Sequence, residues 1–164
     1  MPILDYAHCE KSTIEFLSII KNVDTAFYEF CNYNYNFGFR YNELKNTSRW
    51  HYNGNDNFLV TTEKGSNNRI VPINGVPKEF IECINDNSEG FATIRYSTFI
   101  RLFKKYYPYP YLSVGNKRVS SHLFRYLVVK RLSLQGLSIQ EISTFIGEVN
   151  ILNTLGYLNA IFHY

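Results

Sequence analysis

Cysteine is scarce in this chain and badly placed for cross-linking. Cys9, Cys31 and Cys83 are odd in number, widely spaced and form no Cys-x-x-Cys pair. That excludes a disulfide framework as the organising device, and a reducing compartment fits better. Histidine is equally thin. His8, His51, His122 and His163 are too scattered to read as a metal-ligand pattern, so no metal site is expected. Long apolar runs are missing too. Nothing approaches the about 20 residues that cross a bilayer, and the N-terminus has no basic-then-apolar signal pattern, so no membrane partner is expected. A large charge excess is also lacking: the formal net charge is +3, a weak argument for a polyanionic partner.

What is present is enough apolar residue for a core. The 164 residues are 45% hydrophobic and 19% charged, which suits one folded domain over residues 1–164. No linker, internal repeat or low-complexity block interrupts it. The modest net charge is unevenly spread. Residues 1–90 hold eight Lys/Arg against twelve Asp/Glu, whereas residues 91–164 hold nine against two. A basic half is what phosphate-backbone binding requires, and it is equally what a plain solvated face would show.

Helix signals come first. Ser12-Thr13-Ile14-Glu15 reads as a capping box opening a helix to about Lys21. Asp24 or Thr25 caps a second helix that Gly38 ends. A short helical piece runs from Tyr41 to about Asn46. Trp50 to Tyr52, Phe58 to Thr62 and Arg69 to Ile73 read as three strands, with turn residues between them. Pro77 starts a helix over Lys78 to Ile84. Ser97 caps another, through Tyr106, ending in Lys104-Lys105. The stretch Tyr107-Pro108-Tyr109-Pro110-Tyr111 cannot continue it and reads as an ordered loop. Ser120 or Ser121 caps a helix from His122 to about Leu134, stopped by Gly136. Ser138-Ile139-Gln140-Glu141 is a second capping box, opening a helix that ends at Gly147. A last helix runs from about Ile151 to Phe162. Together these make a mostly helical α+β domain, with a small three-stranded antiparallel sheet against a helical core.

Chemistry concentrates in the basic half. His122 and Arg125 are three apart, so on a helix both side chains leave one face. Arg offers a fixed bidentate cation and His a proton donor or acceptor, a pair suited to phosphate. A helix-turn-helix DNA reader competes for residues 122–162. Its recognition helix would be the last one, which offers apolar residues all round and no Arg, Lys or Gln to base edges. The pattern favours burying that helix and presenting the Tyr157 hydroxyl. Fourteen tyrosines occur in the chain, so a packing role for Tyr157 is the plain alternative. Arg40, likewise, reads plainly as an ion-pair partner of Glu43, and Lys64 as a polar hairpin tip.

The ordered set Gly38-Phe39-Arg40-x-x-Glu43-Leu44, Lys64-Gly65 with Arg69 to Pro72, His122-x-x-Arg125, Gly147-Glu148 and Tyr157 resembles the catalytic domain of tyrosine recombinases, the phage-integrase family. It does so from about Thr13 to Tyr157. The resemblance implies an enzyme that cleaves and rejoins double-stranded DNA through a 3′-phosphotyrosyl link, with no metal or cofactor. Arg40 and Arg125 would clamp the phosphate, His122 would assist proton transfer, Lys64 would protonate the leaving 5′ oxygen and Tyr157 would attack. Lys104, Lys105, Lys117 and Arg118 are expected at the DNA backbone. Self-association into a dimer or tetramer on DNA is implied, as is work in the cytoplasm or nucleoid of a prokaryotic host, the gene being viral or plasmid-borne in some such cases. Two departures stand out. Glu148 occupies the position where the family usually has His or Trp, nine residues before the nucleophile. The N-terminal DNA-clamping domain is not in this chain, which reads as a fragment or a minimal recombinase. A type IB topoisomerase-like enzyme and a catalytically silent DNA-binding relative are the competing functions.

Overall fold

The computed structural model describes residues 2–45, 47–61, 68–73, 76, 78–86 and 94–164, and the backbone alone of Glu79 and Cys83. The chain enters through a two-residue strand β1 (Ile3–Leu4) and helix α1 (Tyr6–Ile20). The helix starts earlier than the Ser12 box predicts. Asp5 is the N-cap, its carboxylate accepting the His8 amide at 2.8 Å. Ser12 and Thr13 lie inside the helix and are buried. The Thr13 hydroxyl donates to Cys9 O and bonds the Tyr107 hydroxyl. A cap-like pattern has thus been used for packing.

Helix α2 (Thr25–Phe37) follows the expectation, with Asp24 as N-cap and Gly38 in the left-handed region at φ 66°. Gly38 matters twice. A Cβ there would stand 3.2 Å from Val128 Cβ and 3.3 Å from Arg125 Cα. The missing side chain lets the start of the Arg40 segment press onto the helix that carries Arg125. Helix α3 (Tyr41–Lys45) comes next. Strands β2 (Trp50–Tyr52), β3 (Asn57–Thr61) and β4 (Asn68–Pro72) then form the expected antiparallel sheet, in that order. Phe58 and Val60 face the core from β3, and Arg69 and Val71 from β4, with the alternation of a sheet wetted on one side.

Helix α4 (Lys78–Asn85) and helix α5 (Tyr96–Tyr106) follow. α5 is entered from Arg95 with no side-chain cap, so Ser97 is not its cap. The Tyr-Pro stretch is an ordered loop as expected: Tyr107 is buried and stacks on Phe103 at 4.6 Å between centroids. Strands β5 (Ser113–Val114) and β6 (Lys117–Arg118) form a hairpin ahead of helix α6 (Leu123–Leu134). His122 is the N-cap of α6, in αR conformation, rather than its first residue. Leu123, Phe124, Arg125, Leu127, Val128 and Val129 are all buried, so α6 is the central rod, with α1, α2 and the two helices that follow packed around it.

Helix α7 (Ile139–Ile146) has the predicted capping box, with both Ser138–Glu141 bonds formed, and ends at Gly147 with φ 73°. Helix α8 (Ile151–Leu158) is shorter than expected, and Phe162 leaves it for strand β7 (Phe162–His163). That strand pairs with β1 and β5, making a second sheet of order β1-β7-β5-β6 that the sequence did not announce. Nor is α8 buried as its composition suggests. Thr154 is its buried residue, and Leu152 is largely exposed. The helix lies on α6 and α7 as an outer layer and holds Tyr157 half-exposed. No helix among the described residues is long and apolar enough to cross a membrane.

Candidate functional site

Arg125 projects from the buried face of α6 and is 0% exposed. Its guanidinium is tied down on several sides. Nη1 donates to Gly38 O at 2.7 Å, and Nη2 donates to Ile146 O at 2.9 Å and to Glu148 Oε1 at 3.1 Å. The carbonyls come from the C-cap of α2 and the last residue of α7, where helices leave acceptors unsatisfied. A cation at two helix C-termini also meets their negative dipole ends.

Arg40, in the turn between α2 and α3, is 7% exposed. Its Nη1 pairs with Glu43 Oε2 at 3.4 Å, and its amide donates to Glu43 Oε1 at 3.0 Å. Its Nη2 donates to Glu148 Oε1 in a short contact. The plain sequence reading of an Arg40–Glu43 pair therefore holds. The structure also brings Arg40 and Arg125 together, both guanidinium groups converging on one oxygen, Glu148 Oε1. Asn153, one turn into α8, donates to the other carboxylate oxygen at 3.4 Å.

Tyr157 closes this cluster from the outside. The Arg125 guanidinium carbon lies 5.6 Å from the centre of its ring. The His122 ring runs nearly parallel to it, with centroids 6.4 Å apart and a 13° interplanar angle. Tyr126 meets its edge at 4.9 Å. Burial, and then the neighbouring Tyr157, push the Tyr126 phenol above its ordinary pKa, so Tyr126 stays protonated beside it. Tyr164 packs on Tyr109 at 4.8 Å, within the second sheet's surroundings. Among the described residues, Tyr157 is the tyrosine set against both Arg125 and His122.

A cavity of about 270 Å³ opens beside Tyr157, lined by Lys117, Arg118, Ser120, His122, Tyr126 and Tyr157 with Val114 and Val119. A second, of about 180 Å³, continues past Arg118 and Ser120 to Lys104. Lys104, Lys117 and Arg118 thus line two recesses that share Arg118, Val119 and Ser120. Arg118 also covers the Tyr111 ring at 4.8 Å, which spreads an exposed guanidinium flat on the surface. Lys105 lies over the ring of its neighbour Tyr106 at 5.3 Å. Lys64 falls outside the described residues. Groups of three His, Cys, Asp or Glu able to hold a metal ion do not occur among the described residues.

One further charge appeared in the sequence only as part of the hairpin pattern, with no role. Arg69 of β4 is 2% exposed, with Nη2 on Phe37 O at 2.6 Å and its guanidinium 4.3 Å from the Phe39 ring centre. Its place in an alternating strand, at a core-facing position, was the available signal. Asn153 had none, since its contact depends on how α8 docks.

No protein-family model and no curated protein matches this chain by sequence. Solved structures do match by fold. XerA recombinase superposes over 97% of this chain and 59% of its own, with a TM-score of 0.62 and 18% identity. The integrase of transposon Tn1549, solved in complex with transposon right end DNA, superposes over 88% of this chain and 58% of its own, at 0.57 and 19% identity. Both are tyrosine recombinases, and the fold of this chain is that of their catalytic domains. The chain spans less than two thirds of either protein.

Proposed function

We propose that this chain is the catalytic domain of a site-specific DNA recombinase that cleaves and rejoins double-stranded DNA through Tyr157. The observation that carries the reading is the setting of Tyr157. It is a half-exposed phenol against a buried arginine and a histidine ring, at the mouth of a basic cavity, on a tyrosine-recombinase fold. A phenol of ordinary pKa about 10 is a weak nucleophile at neutral pH and needs a proton acceptor and a charge-neutralised phosphate. His122 supplies the first and the two arginines the second. The phenolic oxygen attacks phosphorus, the P–O5′ bond breaks, and the 5′ oxygen leaves with a proton from Lys64. Reversal by another 5′ hydroxyl exchanges strands. Lys104, Lys105, Lys117 and Arg118 hold flanking phosphates, and two or four copies assemble on DNA to bring strands together.

The test is covalent capture on nicked duplexes randomised around the nick, in which release of a short 3′ fragment prevents religation. The expected result is a protein–DNA adduct that maps to Tyr157 and vanishes in Tyr157→Phe, with DNA binding changed by no more than a few-fold. An adduct of normal yield from Tyr157→Phe would sink the assignment. Relaxation of supercoiled plasmid lacking any selected site would instead favour the topoisomerase-like reading.

A further inference from the structure

The Glu148 carboxylate stands where a substrate anion would have to stand. Both clamp arginines spend a hydrogen bond on the same oxygen of it, and that oxygen is the point at which the two guanidinium groups converge. A carboxylate in this position offers two arginines what a phosphodiester's non-bridging oxygen offers: a compact, negative acceptor for charge-assisted bonds. Arg125 also donates from Nη1 to Gly38 O and from Nη2 to Ile146 O, its Nε having no hydrogen-bond partner among the described residues, and Nη1 of Arg40 pairs with Glu43. Among the described residues, then, the arginine donors pointing at the convergence are taken by Glu148.

We infer that Glu148 is an internal occupant of the phosphate slot, a built-in pseudo-substrate that must withdraw before DNA phosphate can be clamped. The inference rests on the proposed function and adds a regulatory step to it. Its hinge is in the side chain. The backbone at Glu148 is fixed by the α7 C-cap, with Gly147 at φ 73° and the Glu148 amide on Ser143 O at 2.9 Å. Val149 and Asn150, immediately after it, are exposed, so solvent lies one residue away from a carboxylate that swings out. Among the described residues, it is bonded by Arg40 from the α2–α3 segment, Arg125 from α6 and Asn153 from α8, with Glu43 on Arg40, Tyr157 against Arg125, and Arg69 from β4 near Glu43. Among the described residues, two cations hold the closed state, and an incoming phosphodiester competes for the same two.

Two measurements on the full chain test this. The first is thermal unfolding in rising inorganic phosphate, with ionic strength held constant by chloride. Glu148→Ala and Glu148→Gln, their slot freed of its carboxylate charge, should gain roughly 5 °C or more in Tm once phosphate is about 100-fold above its Kd, while the wild type stays flat. The Gln variant keeps the size of the side chain, should Ala fail to fold. The second is single-turnover adduct formation on the nicked duplexes. Glu148→Gln should react about tenfold faster than wild type, as when about one molecule in ten has its slot open. An equal phosphate response in wild type and variants, or none in either variant, overturns the occupant. Equal adduct rates overturn the gate but leave the recombinase reading standing. A phosphate response confined to the variants, with no adduct from any protein, supports the occupied slot and removes the recombinase reading instead.

Discussion

The two flanks of Tyr157 are built on opposite principles. On one side lie Arg40, Glu43, Arg125 and Glu148, all buried and bonded to each other and to helix-end carbonyls. On the other lie Lys117, Arg118 and His122, exposed around an open cavity. Charges of the first kind have given up their water, so each depends on the others, and removing one leaves its partner stranded. Charges of the second kind keep their water and act through the field they project, which salt screens. The contrast separates two jobs. On the proposed function, the buried flank would set where a phosphorus atom can sit, and the open flank would decide how strongly a polyanion is drawn there. A deep arginine can be exacting because its geometry is over-determined by α2, α6 and α7. A surface lysine cannot be.

The sharpest way to break this division is to remove Arg125. Arg125→Ala takes one of two arginines from the Glu148 carboxylate and the donor from two buried carbonyls, and breaking a buried pair in this way costs about 3–5 kcal/mol. The expected result is a much lower denaturation midpoint. Among molecules that remain folded, adduct formation should also be roughly 10²–10³-fold slower, as for loss of a preorganised donor to a developing oxyanion. Arg125→Lys keeps the charge but not the fork, and should recover part of the stability and little of the rate. If Arg125→Ala unfolds no more easily than wild type, the buried flank is not interdependent and the contrast between the flanks fails.

How much of this could be read beforehand differs between the flanks as well. Asp24, Gly38, Ser138 and Gly147 marked helix ends correctly, because caps act locally and their chemistry is written in adjacent residues. The three-stranded sheet followed from alternation and turn residues. The Ser12 box misled, because a tertiary contact to Tyr107 outweighed a local signal. Strands of two residues, β1, β5, β6 and β7, have no periodicity to detect. That Arg40, Arg125, His122 and Tyr157 share one neighbourhood was legible through order and context. Their distances were not. Glu148 stood out in the sequence only as a departure from the family's usual His or Trp. The structure has it paired inward, with both arginines. Only the docking of α7 against α2 and α6 creates that geometry, and no spacing encodes it.

The open flank is probed by taking away its charge. Lys117→Ala with Arg118→Ala removes two exposed cations from a two-residue strand that makes little core. Folding should be unchanged. DNA affinity should fall uniformly across sequences, and the slope of log K against log salt should shrink by about 2, near one unit per lost phosphate contact. Adduct formation at saturating DNA should stay within a few-fold of wild type. The measurement is a salt titration of duplex binding by the double variant. An unchanged slope would show that these two residues meet no phosphate.

The smallest effect is expected where a buried charge belongs to neither flank. Arg69 resembles Arg125 in burial but not in bonding. It has one hydrogen bond, to Phe37 O, and lies against the rings of Phe39 and Phe145. Its Nε and Nη1 are buried without a hydrogen-bond partner among the described residues. Burial pulls its pKa down, Glu43 works the other way, and Arg125 and Arg40 add to the fall. A cation whose folded pKa is depressed is bound less tightly to its proton in the folded chain than in the unfolded one. At neutral pH it therefore opposes folding, and a neutral replacement removes that penalty. Methionine is flexible and apolar, reaches about as far as the Arg69 Nε and needs no hydrogen bonds. What it forfeits is the guanidinium's contact with the two rings, one bond to a carbonyl and the attraction to Glu43. The two sides nearly cancel, so Arg69→Met should change unfolding free energy by no more than about 1 kcal/mol, in contrast to Arg125→Ala. Chemical denaturation of the two variants side by side makes the comparison. A loss of several kcal/mol from Arg69→Met would mean that its charge supports Glu43 and, through it, Arg40, and the buried flank would then extend into the sheet.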